Sequence, residues 1–445
     1  MFLDNTDAFL IMRIYEIYFL GLERMMILKH KQKVLKMSVI LPVIVFLLFA
    51  TADISVQVWG NTIVKAAPKN ETETEIRNYV NNLEFDIDRL RKGDVRIMPG
   101  NIVSIPEPTS LMYVNFETAG QDLPADKSKT IYGTLQIISD GAFYECWARL
   151  KVQGGSSAGW AKKNWAFKCY KDSTKSERVY LKTGNWAVSN NKSVSKAEWN
   201  DCSFIRKTVL GLLWGDMVNS RPGWPKNEVE TPLIGNHDLS GWMSGATGHT
   251  EGYPAVQYID GEFYGLSTWY RWKDTANYNL DPSNPKHYQL DTSNHTPWWD
   301  ITPKDFKIRS PKEWGTEQDK DLERFKNYAG KTGSDFRDSF EEAFDKQNAI
   351  DYFIFLQFCH LTDNREKNTQ IISYDGQKWF FLPYDLDSSL GISWDGSGQK
   401  HSPESILISK TTDRFWGKFY RAFTQEIEER YADLRNKNIL SVDTL

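Results

Sequence analysis

HLTDNREKNTQIISYDGQKWFFLPYDLDSSLG, residues 360–391, is the stretch that decides how the chain reads. Asp363 is followed five residues later by Asn368. Beyond them, Gln370–Tyr374 and Lys378–Leu382 read as two strands around the Asp375-Gly376 turn. Such a hairpin would carry a second acidic pair, Asp385 and Asp387, back beside Asp363. Phosphoryl transfer requires this inventory: a carboxylate to orient a hydroxyl, and an Asn and an Asp to hold a divalent cation against phosphates. A calcium-binding or purely hydrogen-bonded acidic loop would use similar residues, so the decision passes to the rest of the chain.

The 445 residues leave room for one large domain or two ordinary ones. With 40% hydrophobic residues, 14% aromatics and 17 Trp, the composition supports a sizeable core. A net charge of −4 and a pI near 6.1 argue against a nucleic-acid partner held by bulk charge. The four cysteines, Cys146, Cys169, Cys202 and Cys359, contain no C-x-x-C and read as buried thiols; their spacing assigns no disulfide. His237, His249, His287, His295 and His401 lack the spacing of zinc ligands.

A basic run, Lys29 to Lys36, precedes the uncharged segment Met37–Ala52, which closes on Ala50-Thr-Ala52. That order describes a secretory signal peptide over residues 1–52, with a retained membrane anchor through 37–52 as the alternative. The first 24 residues suit an early start codon. Residues 53–96 read as a linker and short helix. There Ile76, Val80, Leu83, Ile87 and Leu90 recur at 4-3-4-3 spacing, which suits either a coiled coil joining copies of the chain through 76–90 or a helix docked on its own domain.

From Ile97 the pattern turns to strands: Leu111–Phe116, Thr130–Ile138 and, after the Asp140-Gly141 turn, Phe143–Val152. A Gly/Ser-rich loop follows from Gly154, and then a strand in which Ala166 and Lys168 share one face while Trp165, Phe167 and Cys169 share the other. A small residue there makes room for a base, and a Lys two positions on reaches phosphates. Ala197–Met217 reads as a helix offering Glu198 or Asp201 as the lysine's acidic partner, or as a simple cap. Val256–Ile259 and Phe263–Tyr270 form a hairpin around Asp260-Gly261. Residues 274–320 show little periodicity and carry Pro297-Trp298-Trp299, which suits burial under the loop or, in a carbohydrate-binding reading, stacking on a sugar. Asp335–His360 reads as a core helix that feeds the acidic loop, with His360 bracing it. Asp413–Asn436 reads as an amphipathic helix.

Taken together, these blocks resemble the CotH family of atypical, secretory-type protein kinases. The matching pieces are Gly154-Gly155-Ser156-Ser157 with Lys162, Lys163 and Lys168, then Asp201–Arg206, Tyr258–Gly265, Asp363-Asn364 with Asn368, and Pro383–Gly391. The resemblance spans roughly residues 110 to 435. It implies an α+β, kinase-like fold: a β-rich nucleotide-binding lobe over 97–272, a helical catalytic lobe over 273–445, and an active-site cleft between them. It also implies ATP with Mg (or Mn), and transfer to Ser or Thr of a coat or surface protein. By the resemblance Asp363 is the catalytic carboxylate, and Asn368, Asp385 and Asp387 attend the metal. Lys168 contacts the phosphates, with Lys162 and Lys163 as competitors beside Ser156 and Ser157. Tyr384 stands where the family commonly has Trp, and similar chains usually continue past the last helix. Gln153–Ser157, Lys162–Asn164 and Lys307–Lys312 also look like CotH-like modules of phage tail or baseplate proteins, which implies a silent structural or adhesion role, in a virion if phage-encoded. The signal-like segment implies instead a secreted or membrane-anchored protein.

Overall fold

A computed structural model of the chain describes residues 93–94, 96–98, 101–184, 188–221, 248, 252–273, 275–399, 406–412 and 414–441. The expected leader at 1–52 and the heptads at 76–90 lie outside the described residues. In chain order the strands are β1 (Gly93–Asp94), β2 (Arg96–Met98), β3 (Ile102–Ile105), β4 (Met112–Glu117), β5 (Thr130–Ser139), β6 (Ala142–Gln153), β7 (Asn164–Tyr170), β8 (Tyr180–Thr183) and β9 (Lys192–Lys196). They continue as β10 (Gly252–Ile259), β11 (Glu262–Arg271), β12 (Tyr288–Thr292), β13 (Phe306–Ser310), β14 (Thr369–Ser373) and β15 (Trp379–Pro383).

Seven strands close into a barrel in the order β6-β5-β4-β10-β11-β9-β7, with β7 pairing back onto β6. The period of two that marks β5, β6 and β7 in the sequence is what permits closure, because one face can be wholly apolar. Trp165, Phe167 and Cys169 fill the interior with Ala148, Leu150, Phe116 and Trp269. Ala166 and Lys168 point to the outside of the same strand, as alternation requires. Each large side chain moved from water into this interior contributes roughly 1.5–3 kcal/mol. The Asp140-Gly141 and Asp260-Gly261 turns both hold positive φ at the two central residues (50° and 80°; 50° and 78°), the conformation two-residue hairpins need. Cys146, Cys169 and Cys359 are buried and Cys202 is half-buried, and none of the four is in a disulfide among the described residues.

The second half is helical around a four-stranded sheet in the order β13-β12-β14-β15. Its helices are α1 (Arg206–Asn219), α2 (Thr316–Gly330), α3 (Gly333–Asp338), α4 (Phe340–Ala343), α5 (Lys346–Phe358), α6 (Phe415–Ala422) and α7 (Thr424–Asn436). Three expected helices are shorter or broken. The one expected from Ala197 begins only at Arg206, because Glu198 and Phe204 adopt left-handed φ (45° and 61°). The Asp201 carboxylate accepts from the backbone N–H groups of Ser203 and Arg206 at the helix start. Asp335–His360 splits where Phe344 leaves the helix to bridge Trp379, and the Asp345 carboxylate then caps α5 by accepting from Asn348 N–H at 2.6 Å. The last helix breaks at Phe423, a core residue whose ring lies 5.1 Å from Phe340. Residues 274–320, expected as a loop, contain β12 and β13. All five residues of β12 are buried, so no alternation shows in YQLDT.

Trp298 lies in the core at 1% exposure, stacked on Phe381 with centroids 4.6 Å apart and planes 8° apart, and 4.6 Å from Phe415. Its neighbour Trp299 is partly buried beneath the Lys418 ammonium. Among the described residues no helix is long and apolar enough to cross a membrane. Replacing Trp298 by Ala should lower unfolding stability by about 3–5 kcal/mol, read from the urea midpoint. A loss under about 1 kcal/mol would mean that the ring is not part of the packed core.

Candidate functional site

The site grows from the open end of the β14–β15 hairpin. Thr369 pairs with Pro383, so Asn368 and Tyr384 are the next residues out on the two chains. The Asp375-Gly376 end is looser than a two-residue turn, for Ser373 pairs with Trp379 and the Asp375 carboxylate accepts from the N–H groups of Gln377 and Lys378. Asn368 and Asp385 both adopt left-handed φ (54° and 60°), which short polar side chains tolerate best. Buried Asn364 ties the two arms together: its carboxamide donates to the Tyr384 carbonyl at 2.6 Å and to the Asn368 carbonyl at 3.3 Å. The Asn364 Oδ1 is buried and has no hydrogen-bond partner. Asp363 Oδ2 accepts from Lys367 Nζ and Asn368 Nδ2, both at 2.9 Å, and its Oδ1 lies 3.2 Å from His295 Nε2. The five-residue step from Asp363 to Asn368 thus places the two side chains in direct contact. His360 Nδ1 meets Gln399 Oε1 at 2.7 Å, next to this loop.

Asp385 and Asp387 face the N-terminal half through lysines. Lys207 Nζ on α1 is 2.8 Å from Asp387 Oδ2, 3.0 Å from Glu198 Oε2 and 3.5 Å from Asp385 Oδ1. Lys196 Nζ on β9 is also 3.5 Å from Asp385 Oδ1. Burial alone would lower the Lys207 pKa, but Asp387, Glu198 and Asp385 outweigh it and hold the pKa well above the ordinary lysine value. Burial likewise opposes ionisation of Asp385, and Lys196, Lys207 and Lys273 overcome it, so this carboxyl lies well below the usual range. Burial dominates at Glu198, whose pKa is raised in spite of Lys207.

Beside this cluster a cleft of about 300 Å³ runs between the outer barrel wall and the side of the helical half formed by β13 and the residues after β15. On the barrel wall Ala166 stands between Lys151 and Val194 across β6, β7 and β9, and Lys168 between Arg149 and Lys192. Lys196, Ala166, Val194, Lys151 and Arg149 line the cleft, with Tyr270 and Trp272 at its side. Tyr384, Lys273 and Arg309 close the opposite wall. Lys273 is mostly covered: its Nζ sits 3.1 Å over the Tyr384 ring and 2.7 Å from Asp291 Oδ1. Asp291 also receives Arg309 at 3.1 Å and the Gln370 amide at 2.8 Å. Burial lowers the Lys273 pKa to about 8, against the pull of Asp291.

The residues expected from sequence distribute unevenly. Asp363 and Asn368 touch, and Asn364 links them to the arm carrying Asp385. Asp387 is engaged by Lys207. Lys168 shares the outward face of Ala166 but stands one row farther from Asp385, half-buried, with its ammonium 5.5 Å over the Tyr170 ring. Lys162 is buried and donates to the Leu266 and Ala197 carbonyls, beneath Gly265, where an added Cβ would fall 3.2 Å from Nζ. Its pKa is lowered to about 8 by burial. Lys163 Nζ donates to the Ala158 carbonyl at 3.0 Å, and Ser157 Oγ accepts from Asn164 at 3.2 Å. Ser156 opens the short turn that carries Ser157. Glu198 and Asp201, the two candidates for a lysine's acidic partner, take different tasks: Glu198 pairs with Lys207, and Asp201 with Arg206.

Sequence reasoning passed over Lys196, Lys207, Lys273 and Asp291. A usable signal existed at Asp291, a carboxylate in the strand-like run Tyr288-Gln-Leu-Asp-Thr292, because a buried charge demands partners. Among the described residues no group of three or more His, Cys, Asp or Glu side chains is placed to hold a metal ion by itself.

The family model described as CotH kinase protein matches residues 150–441. No curated protein matches the chain at a significant level.

Lys273 gives a pH signature with a definite sign. Its folded pKa of about 8 is below the unfolded lysine value, so between these pH values the unfolded chain binds more protons and the native state gains stability as pH rises. Wild type should therefore gain on Lys273→Met between pH 8 and 10.5, by an amount on the order of 3 kcal/mol. Urea unfolding of both proteins at pH 7.5 and 10.5 checks this; a constant difference would mean that Lys273 titrates like a solvated amine.

Proposed function

Because the chain belongs to the CotH kinase protein family, we propose that it transfers the γ-phosphate of ATP, held with Mg or Mn, to a Ser or Thr hydroxyl of a coat or surface protein. The observation that carries this reading is the Asn364 carboxamide, which fixes the arm bearing Asp363 and Asn368 against the arm bearing Asp385 at the edge of a lysine-lined cleft. Asp363 orients the acceptor hydroxyl. Its Oδ2 is occupied by Lys367 and Asn368, so Oδ1, on the His295 side, is the oxygen that faces an incoming hydroxyl. Lys207, kept protonated by its carboxylate neighbours, and Lys196 set positive charge where the phosphates gather. The strip of Ala166 and Val194 between Tyr270 and Tyr384 offers a flat, partly apolar surface of the kind a base occupies. Lys168, one row out on the same face, stands farther from Asp385 than Lys196 does, so Lys196 takes the phosphate contact in this reading.

The donor set suits a magnesium-type ion. Such ions take one or two carboxylates and fill the remaining positions with phosphate oxygens and water. Asp385 and the Asn368 amide would hold it, with Asp387 in support through Lys207, and the buried, unpartnered Asn364 Oδ1 marks unsatisfied acceptor capacity beside them. When bound, the ion would neutralise charge on the transferring phosphoryl group.

The signal-like segment supports a secreted or membrane-anchored extracellular protein in this reading. Asp363→Ala should lower metal-dependent phosphate transfer by several orders of magnitude while leaving the melting temperature unchanged within a few degrees. Mg-ATP should raise the melting temperature of wild type and not of Asp385→Ala, because ligand held by the native state alone stabilises it by mass action. No shift in wild type, with no transfer to any protein acceptor, would leave a silent structural or adhesion module of a tail or cell-surface assembly.

A further inference from the structure

Nine lysines and arginines line the cleft against one carboxylate, Asp385. Arg271 donates to the Val188 carbonyl, and the inner cations are answered. Lys196 and Lys207 meet Asp385, with Asp387 and Glu198 behind Lys207, while Lys273 and Arg309 share Asp291. The outer ones are not: among the described residues no carboxylate pairs with Lys127, Arg149, Lys151 or Lys307. With Asp385 turned to a metal ion, Lys196 would be released to the phosphates of a nucleotide, and the outer four would still have no counter-charge.

The outer group is also built against its own repulsion. Arg149 lies directly opposite Lys168, and Lys168 opposite Lys192, so like charges stand abreast on neighbouring strands and repel one another. Lys307 faces them from β13 of the helical half, and Lys127 reaches in from the loop before β5. Arg309, then burial, then Lys127 and Lys192 depress the Lys307 pKa against the pull of Asp291, and burial, Arg178 and Arg149 depress that of Lys168 against Tyr132, as expected of crowded cations. Arg149 Nε is buried with no hydrogen-bond partner. A purely solvated basic surface would not draw cations from three separate segments onto two facing walls.

We propose that this mouth binds an anionic stretch of the acceptor polypeptide, in which acidic or already phosphorylated side chains flank the hydroxyl to be modified. The inference rests on the kinase reading for the identity of the acceptor. The spacing follows from the strand: Lys196, at Asp385, and Lys192, in the outer row, are four residues apart, or about 13 Å. An extended acceptor covers that distance in about four residues, so the anion belongs about four positions from the target Ser or Thr.

The test uses the full chain and labelled Ser-containing peptides that carry Glu, phosphoserine or Gln four residues from the acceptor on either side. Fluorescence anisotropy without nucleotide should show the Glu or phosphoserine peptides binding at least tenfold tighter than the Gln peptide. The preference should fade with salt, and Arg149→Gln/Lys151→Gln/Lys307→Gln, three outward-facing changes, should abolish it while the melting temperature holds. A preference for phosphoserine over Glu would identify earlier transfer as the source of the charge; equal preference would identify intrinsic acidity. Equal binding of all peptides, or an unchanged preference in the triple variant, overturns the inference. So does a triple variant whose affinity for Mg-ATP collapses while its peptide preference stays, for the mouth would then belong to the nucleotide. Selective peptide binding without any phosphate transfer upholds the anion site and removes the kinase reading.

Discussion

One buried ammonium, that of Lys207, holds the two halves of the molecule to a common geometry. It reaches Glu198 before α1 and Asp385 and Asp387 beyond β15, at distances from 2.8 to 3.5 Å. Removing a charge from water costs several kcal/mol, and only a nearly complete shell of opposite charge compensates for it. The helix start, the barrel strand β9 and the acidic loop are therefore constrained together. A displacement of any of them would leave a charge without its partner in a low-dielectric seam. The polar seam specifies the arrangement, and the two apolar cores, one inside the barrel and one beneath the helices, supply the stability.

The barrel resolves a conflict between binding and folding. A wall that must carry Arg149, Lys151 and Lys196 cannot contribute to an apolar core on that face. Strict alternation separates the two tasks, with Trp165 and Phe167 turned inward and Ala166 and Lys168 outward along the same few residues. Closing β7 onto β6 also removes the free edges that a flat sheet would expose. On the helical side, Asp291 does the equivalent work, since it allows Lys273 and Arg309 to be held in place at low solvent exposure.

The barrel hairpins were legible because their turns are local: Asp140-Gly141 and Asp260-Gly261 carry the whole signal in two residues. The hairpin that ends in Tyr384 and Asp385 was legible from its two runs of strand-forming residues, although the connection at Asp375-Gly376 is wider than a two-residue turn. Helix boundaries were not. The late start of α1 depends on left-handed Glu198 and Phe204, and the break at Phe344 depends on a bridge to Trp379 in a strand still to come. Strand β12 was hidden because its buried Gln289 and Asp291 look like surface residues until their partners are known. The lysines around Asp385 were missed for a related reason. Lys207 and Lys273 are far apart in sequence and gain meaning only when folding brings carboxylates to them, whereas Lys162, which looked like a ligand contact, is consumed by backbone carbonyls.

The far end of α1 is fastened late. Arg430 on α7 donates to the Met217 carbonyl at 2.7 Å and to Ser220 Oγ at 2.9 Å, while its Nε meets Asp351 at 2.8 Å. Lys437 adds a bond to the Ser220 carbonyl at 2.9 Å. During synthesis, then, the helix that carries Lys207 emerges from the ribosome more than two hundred residues before the side chains that seal its carbonyl end. Until they arrive, the nascent chain can build its barrel but has no finished scaffold on which to align a reaction.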